Sequence, residues 1–388
     1  MAAPSCTLIL GDLGAEVIKV ERPRMGDDIR NYGPPFLKGQ EGDDIRASAW
    51  HVWVNRNKKG IAVDLSKPEG QDLIKRLALV SDVLVENYKV GDLARYGLDE
   101  KSLRKLNPKL IYCSVTGYGQ TGPYRYRPGL DVLFQAACGL MHMSGEPDGP
   151  PTRAGFVLTD FVTGLYTAIG IITALFHRVA HHGPGQHIDM ALMDAAVAAM
   201  SHRAQAYLLS GEEQERQGNF APGASPSGVY RTLDGELAIS AVTDEQYAVV
   251  CRAIDRLDLG EDPRFKLREN RVQNMWVLKD LLSEVFKQRP TLEWVDRLTG
   301  LGAGAAPVNT ISQTFSDEQV HHRGLVVETH HQDAGKIKVL RNPIRFSETP
   351  LDRYEPPPNI GQHTEEVLRN LLGLSTDEIS ELRDKSII

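Results

Sequence analysis

The 388-residue chain is too long for one ordinary core, so two domains are expected. With 41% apolar residues, 24% charged residues and a net charge of −7, it has a globular composition and lacks the bulk positive charge that holds a nucleic acid. Its four scattered cysteines form no C-x-x-C pair, and neither a basic signal region nor a membrane-length apolar run is visible. A cytoplasmic protein with no membrane association, no nucleic-acid partner and no bound metal is the expectation.

In chain order, residues 15–21 (AEVIKVE) read as a strand and 61–65 (IAVDL) as a second. Pro68 opens a helix whose Leu73, Ile74 and Leu77 share a face. Residues 82–86 (DVLVE) return as a strand. Short helices follow, one stopped by Gly97 and one by Asn107-Pro108, before a strand at 110–115 (LIYCSV). Such strand–helix alternation predicts a parallel sheet covered on both faces. Near residue 210 the pattern changes. Residues 211–228 are polar and rich in Gly, Pro and Ser, and Leu233-Asp234-Gly235 signals a hairpin between 229–231 and 236–240. Helical periodicity runs through 244–298. A second hairpin at 325–329 and 337–340, an extended triple proline and a C-terminal helix complete the chain.

Three short segments carry the chemistry. Thr159-Asp160-Phe161-Val162-Thr163-Gly164 puts a carboxylate at the mouth of an apolar helix, with Leu165, Ile169, Ile172 and Leu175 behind it at helical spacing. At the positive end of the macrodipole the carboxylate is expected to stay ionised, either as a cap or as a nucleophile. Gly117-Tyr118-Gly119-Gln120-Thr121-Gly122 matches G-x-G-x-x-G. It is followed by Pro123 and the YRYRPG run rather than an apolar helix, so it reads as a turn-rich loop and not as a dinucleotide site. Arg22 and Arg24 at one strand end, with Arg56, Lys58 and Lys59 before the next, form a candidate phosphate clamp. Asn87 and Tyr88 close a third strand and offer an amide and an aromatic face.

The blocks LGDLGAEVIKVERP (10–23), NRNKKGIAVDL (55–65), DVLVENY (82–88), NPKLIYCSVTGYGQTGP (107–123), D-x-x-x-G at 160–164, GPGQHIDMALMDA (183–195) and GQHTEEVL (361–368) occur in one order over nearly the whole chain. Together they resemble the class III CoA-transferases, the formyl-CoA transferase and carnitine CoA-transferase family. Within that family they are most similar to members using succinyl-CoA and a dicarboxylic acid. The resemblance implies an α/β fold: a parallel Rossmann-like large domain (1–200 and 325–388), an inserted small α+β domain (226–312), linkers at 201–225 and 313–324, and an interlocked homodimer. It implies transfer of CoA from an acyl-CoA, which is a substrate and not a permanently bound cofactor, to a free carboxylic acid. Asp160 is then the nucleophile, and Arg22, Val63, Leu65, Asn87, Tyr88, Arg95 and Asp131 contact CoA. A mobile loop at 218–228 carries Gly218, Gly223 and Gly228 but lacks the family's run of consecutive glycines.

Family chains usually open with a strand of the type VLDLTRVLAGP, whereas Met1-Ala2-Ala3-Pro4 falls inside that block. Unpaired strand edges are therefore expected. This departure keeps open the reading of an inactive CoA-binding protein. A further alternative is an α-methylacyl-CoA racemase of the same superfamily. Racemases carry a histidine in a GHD triplet, and here the triplet is Gly129-Leu130-Asp131. Leucine cannot move a proton.

Overall fold

In the computed structural model every residue except Pro222 is described, and the chain divides into two compact units. The first comprises residues 1–138, 154–211 and 322–388, the second residues 139–153 and 212–321.

The first unit begins with a helix, α1 (Ala2–Asp12), and continues through β1 (Val17–Glu21), a hairpin of β2 (Phe36–Lys38) and β3 (Asp44–Ser48), α2 (Ala49–Asn55), β4 (Lys58–Ala62), α3 (Pro68–Val80), β5 (Val83–Glu86), α4 (Glu100–Leu106) and β6 (Ile111–Thr116). Then come α5 (Asp131–Ala137), the 23-residue α6 (Leu158–Ala180), β7 (His187–Ala191), α7 (Leu192–Ala199) and α8 (Ser201–Ser210). An antiparallel hairpin (Val326–His331 with Gly335–Leu340) and two C-terminal helices (Thr364–Leu372 and Thr376–Asp384) close the unit.

The chain is a mixed α/β protein with parallel pairing, as the alternation predicts. The parallel strands form two sheets rather than one. β1 pairs with β4, and β6 lies between β5 and β7. Every residue of β6 is buried, as a strand covered on both faces requires. β1 and β5 each keep one unpaired edge, and the two edges line one groove of about 610 Å³. β4 starts three residues before the sequence pattern places it. Pairing of Val17 with Lys58 sets that register, and the Lys58 side chain is buried with it.

The sequence pattern does not show α1 or α8, nor the short helices α2, α5 and α7. Pro4 and Gly11 disguise α1, although a proline in a first turn removes no helical bond. Its partner is α6. The buried face of α6 is made of Thr159, Thr163, Gly164, Thr167, Ala168, Ile171 and Ala174, small or self-satisfied residues that admit a close neighbour. Thr163 and Thr167 donate their hydroxyls to the carbonyls of Thr159 and Thr163, both at 2.6 Å. A Cβ on Gly164 would sit 2.2 Å from Ser5 Oγ and 3.0 Å from the Ala2 carbonyl, so glycine is what lets α1 reach this depth.

The second unit is built on an antiparallel sheet. β8 (Ser227–Arg231) and β9 (Glu236–Ser240) form the expected hairpin, and β10 (Gly304–Pro307) pairs with β9. Leu237, Ile239, Tyr247, Phe286 and Trp294 occupy its core. The helix Asp244–Ala253 starts with a capping box, in which Thr243 and Gln246 satisfy each other's backbone.

Candidate active site

Asp160 lies in the first turn of α6 but does not cap it. Its Oδ1 accepts the N–H of Ala2, the first residue of α1, at 3.1 Å, and the Met1 amino group lies 3.4 Å away. The cap comes from Asp131, at the start of α5. Asp131 Oδ1 accepts the backbone N–H of Thr159 at 2.8 Å, the Thr159 hydroxyl at 2.7 Å and the N–H of Asp160 at 3.3 Å. Gln135 donates to its other oxygen at 2.6 Å. Asp131 is buried and its oxygens are engaged. In place of the implied CoA contact, it fixes the backbone on which Asp160 is mounted.

The macrodipole argument gives the wrong direction for Asp160. Its carboxyl is held above the ordinary carboxylate range, chiefly by burial. The Met1 amino group opposes that shift, and the Asp131 carboxylate adds to it. A buried carboxylate is a poorly solvated and therefore stronger nucleophile, provided that it is ionised.

Asp131→Asn separates the two effects of Asp131. Asparagine keeps an oxygen for the Thr159 and Asp160 amides, removes the charge and gives up the bond from Gln135. Asp160 should then ionise at lower pH, so the acidic limb of kcat/KM should move to lower pH with the fold intact. An unmoved limb would mean that Asp131 acts through its hydrogen bonds alone.

Four of the residues assigned to CoA line the groove between β1 and β5: Arg22, Leu65, Asn87 and Tyr88. Met1, beside Asp160, lines it as well. Arg22 follows β1, where its guanidinium meets the Asp28 carboxylate and the Gly26 carbonyl. It is exposed, so an incoming phosphate can share or replace Asp28. Tyr88 is presented by a tight turn in which its N–H donates to Glu86 Oε2 at 2.8 Å. Glu86 is itself buried enough that its carboxyl is pushed up.

Val63 and Arg95 stand apart from the groove's lining. The Val63 side chain is in the core and its N–H donates to the Glu21 carbonyl, so no side-chain contact to a ligand is available. Arg95 is exposed and stacks on Tyr96, 4.7 Å from the ring centre.

The basic run at the start of β4 makes no phosphate clamp. Arg56 is buried against Asp12. Lys58 donates to the Pro4 carbonyl at 2.9 Å and to Thr7 Oγ1 at 2.8 Å, which fastens α1 from below. Lys59 pairs with Glu16 and Glu366. Their charges serve the fold, a role that sequence proximity to a strand end does not reveal.

The loop at 117–130 follows β6 and reaches α5 without an intervening helix, as its residues predict. Gly119 and Gly122 both take φ of 85°, open to glycine at little cost. Leu130 is exposed while its neighbour Asp131 is buried, so Leu130 contributes no acid or base. In the second unit, Gly218 (φ 58°) donates its N–H to the Gly145 carbonyl, and the Gly223 carbonyl accepts from Arg268. Gly228 belongs to β8, with a Cβ there blocked by the Phe220 ring at 2.3 Å, so it is a strand residue and not part of a mobile loop.

The family model for CoA-transferase family III matches residues 1–364. The human succinyl-CoA:glutarate CoA-transferase is 41% identical over 388 residues, covering 100% of this chain and 87% of that one. A succinate–glutarate CoA-transferase of Agrobacterium fabrum is 41% identical over 376 residues (96% and 92% covered). The succinyl-CoA–L-malate CoA-transferase beta subunit of Chloroflexus aurantiacus is 36% identical over 394 residues (100% and 95% covered). Among solved structures, a CAIB/BAIF family protein from Brucella suis matches with a TM-score of 0.85 at 39% identity, covering 96% of each chain.

Proposed function

The chain belongs to CoA-transferase family III and is a CoA-transferase, and on that premise we propose that Asp160 takes CoA from succinyl-CoA and passes it to a dicarboxylic acid. The observation that carries this reading is the setting of Asp160: a desolvated carboxylate, held by the first N–H of one helix on a turn braced by a second carboxylate, beside a groove with a cation and an aromatic arm. The relatives named for succinyl-CoA with glutarate or malate support the choice of substrates.

In this mechanism Asp160 Oδ attacks the thioester carbonyl. The C–S bond breaks and CoA leaves as thiolate, giving a mixed anhydride. The thiolate attacks the aspartyl carbonyl, releasing the donor acid and leaving an aspartyl-CoA thioester. The acceptor carboxylate displaces the thiolate to form a second anhydride. The thiolate then attacks the acceptor's carbonyl, which yields the new acyl-CoA and restores the carboxylate. Each step exchanges one acyl bond for another. The Ala2 N–H is placed to steady charge on the aspartyl oxygen.

This chemistry breaks no α C–H bond. With a chiral 2-methylacyl-CoA in deuterated water, acid exchange should proceed without deuterium entering the α-carbon. Rapid α-deuteration without acid exchange would establish the racemase instead.

We read the second unit as the small inserted α+β domain and the protein as a homodimer. Leu165, Ile169, Ile172, Phe176 and Val179 recur along one face of α6, and Phe176 is 72% exposed. α6 is long and apolar enough to cross a membrane, yet its other face is packed against α1. An apolar stripe of this length on a folded unit fits a second copy. Light scattering should give twice the chain mass, and Phe176→Asp should lower it; a monodisperse monomer in the unmodified protein would contradict the dimer.

A further inference from the structure

The loop between β6 and α5 carries two exposed arginines that stack on tyrosine rings and have no carboxylate partner among the described residues. Arg127 lies over the Tyr124 ring, 3.6 Å from its centre, and Arg125 over Tyr126 at 4.3 Å. Tyr124 meets Tyr118 edge-on at 5.6 Å, and Tyr118 packs on Phe134 of α5 at 5.2 Å. Gly129 presses on the same Phe134 ring, where a Cβ would come within 2.2 Å. Asp189 pins the start of the loop, its two oxygens accepting the Gln120 N–H at 3.2 and 3.0 Å. Arg125 donates to the Gly122 carbonyl. Among the described residues the Arg127 side chain has no ion-pair or hydrogen-bond partner, and it stacks on the Tyr124 face.

Stacking uses the face of a guanidinium and leaves its edge, with the N–H groups, free for a planar two-oxygen anion. The loop leaves the carboxyl end of the middle parallel strand, where ligands sit in such sheets. It ends at Asp131, whose carboxylate holds the Asp160 N–H. Arg127 is four residues before Asp131, so their backbones are at most about 14 Å apart. A five-carbon diacid joined to Asp160 places its second carboxyl carbon about 5 Å from the first. An extended arginine side chain of about 7 Å and the acyl chain together span about 12 Å, the same order as that largest separation.

We propose that Arg127 binds the remote carboxylate of the dicarboxylic acyl group and so selects diacids over monoacids, an inference that rests on the transferase reading above. Donor and acceptor acids occupy the acyl position in turn, so one arginine reads both. Arg127 is then a specificity residue. It takes no part in bond making, which leaves the thiolate and carboxylate steps unchanged.

The test uses the full chain with glutarate and pentanoate, acceptors of equal length, and with succinyl-CoA and butyryl-CoA as donors. The unmodified protein should prefer the diacid. Arg127→Ala should lower kcat/KM for glutarate at least about tenfold, the size of one charge-assisted hydrogen bond, through KM more than kcat. It should raise KM for succinyl-CoA and leave pentanoate and butyryl-CoA within twofold. Arg127→Lys should recover part of the loss. Equal losses for diacids and monoacids would assign Arg127 to CoA phosphate or to the fold, and no loss would remove it from the site; either result overturns the proposal. If the unmodified protein transfers CoA to neither acid while binding acyl-CoA, the transferase reading itself fails.

Discussion

Replacing Asp160 with alanine should abolish exchange of CoA between succinate and a second acid, by at least about ten-thousandfold, the usual cost of removing a covalent nucleophile. The protein should remain folded. Asp160 does not cap its own helix, because Asp131 satisfies the amides of that turn, so the loss is confined to the bond from the Ala2 N–H at the start of α1. Stability should even move the other way in Asp160→Asn. The carboxyl is raised in the folded state, so the folded protein keeps this proton to a higher pH than the unfolded chain does. Stability therefore falls as pH rises from the ordinary carboxylate value through the raised one, and the cost is complete above it. Asn removes that cost while its oxygen still accepts the Ala2 N–H. Melting temperatures at neutral pH should equal or exceed those of the unmodified protein, with no gain at a pH below the ordinary carboxylate value. Near-normal turnover in Asp160→Ala would end the nucleophile assignment.

The second large effect is expected at Gly164. Alanine there would place a methyl 2.2 Å from Ser5 Oγ, 3.0 Å from the Ala2 carbonyl and 3.2 Å from the Cys6 nitrogen. Two of these three contacts are backbone, so α1 must back away from α6 and carry the Ala2 N–H away from Asp160. Overpacking of this kind costs about 1–3 kcal/mol. A shift near 1 Å at a reacting group can cost about a hundredfold in rate. Gly164→Ala should therefore lose stability and about ten- to a hundredfold in kcat. Removing the Ser5 hydroxyl as well, in Gly164→Ala with Ser5→Ala, should restore part of both. A Gly164→Ala enzyme with unchanged kcat would show that the α1–α6 approach does not set the nucleophile.

These two residues also mark how far the sequence can be read. The spacing D-x-x-x-G names both, and a helix pattern places them one turn apart on one face. What the spacing cannot show is the partner on that face. α1 lies more than 150 residues away in the chain, and Pro4 and Gly11 hide its helical period. Asp131 is likewise legible as a member of the site but not in its role, since its bonds to Thr159 and Asp160 span 28 and 29 residues. Propensity and periodicity are local and are reliable locally: α3, β5, β6 and the hairpin read at 229–240 fall within two residues of where the pattern places them. Charge was the poorest guide. Arg56, Lys58 and Lys59 look like a phosphate clamp in the sequence, yet their partners are Asp12, the first turns of α1, Glu16 and Glu366. The unpaired edges of β1 and β5 line one groove, and Arg22, Asn87 and Tyr88, the residues that the resemblance assigns to CoA, gather along it.

The most direct test of the central claim is chemical. Incubated with succinyl-CoA alone and quenched rapidly, the protein should carry a covalent adduct on the peptide containing Asp160. Hydroxylamine should convert it to a hydroxamate at that residue, and Asp160→Ala should show none. An adduct confined to another residue, or continued turnover with no adduct at any quench time, would contradict transfer through Asp160.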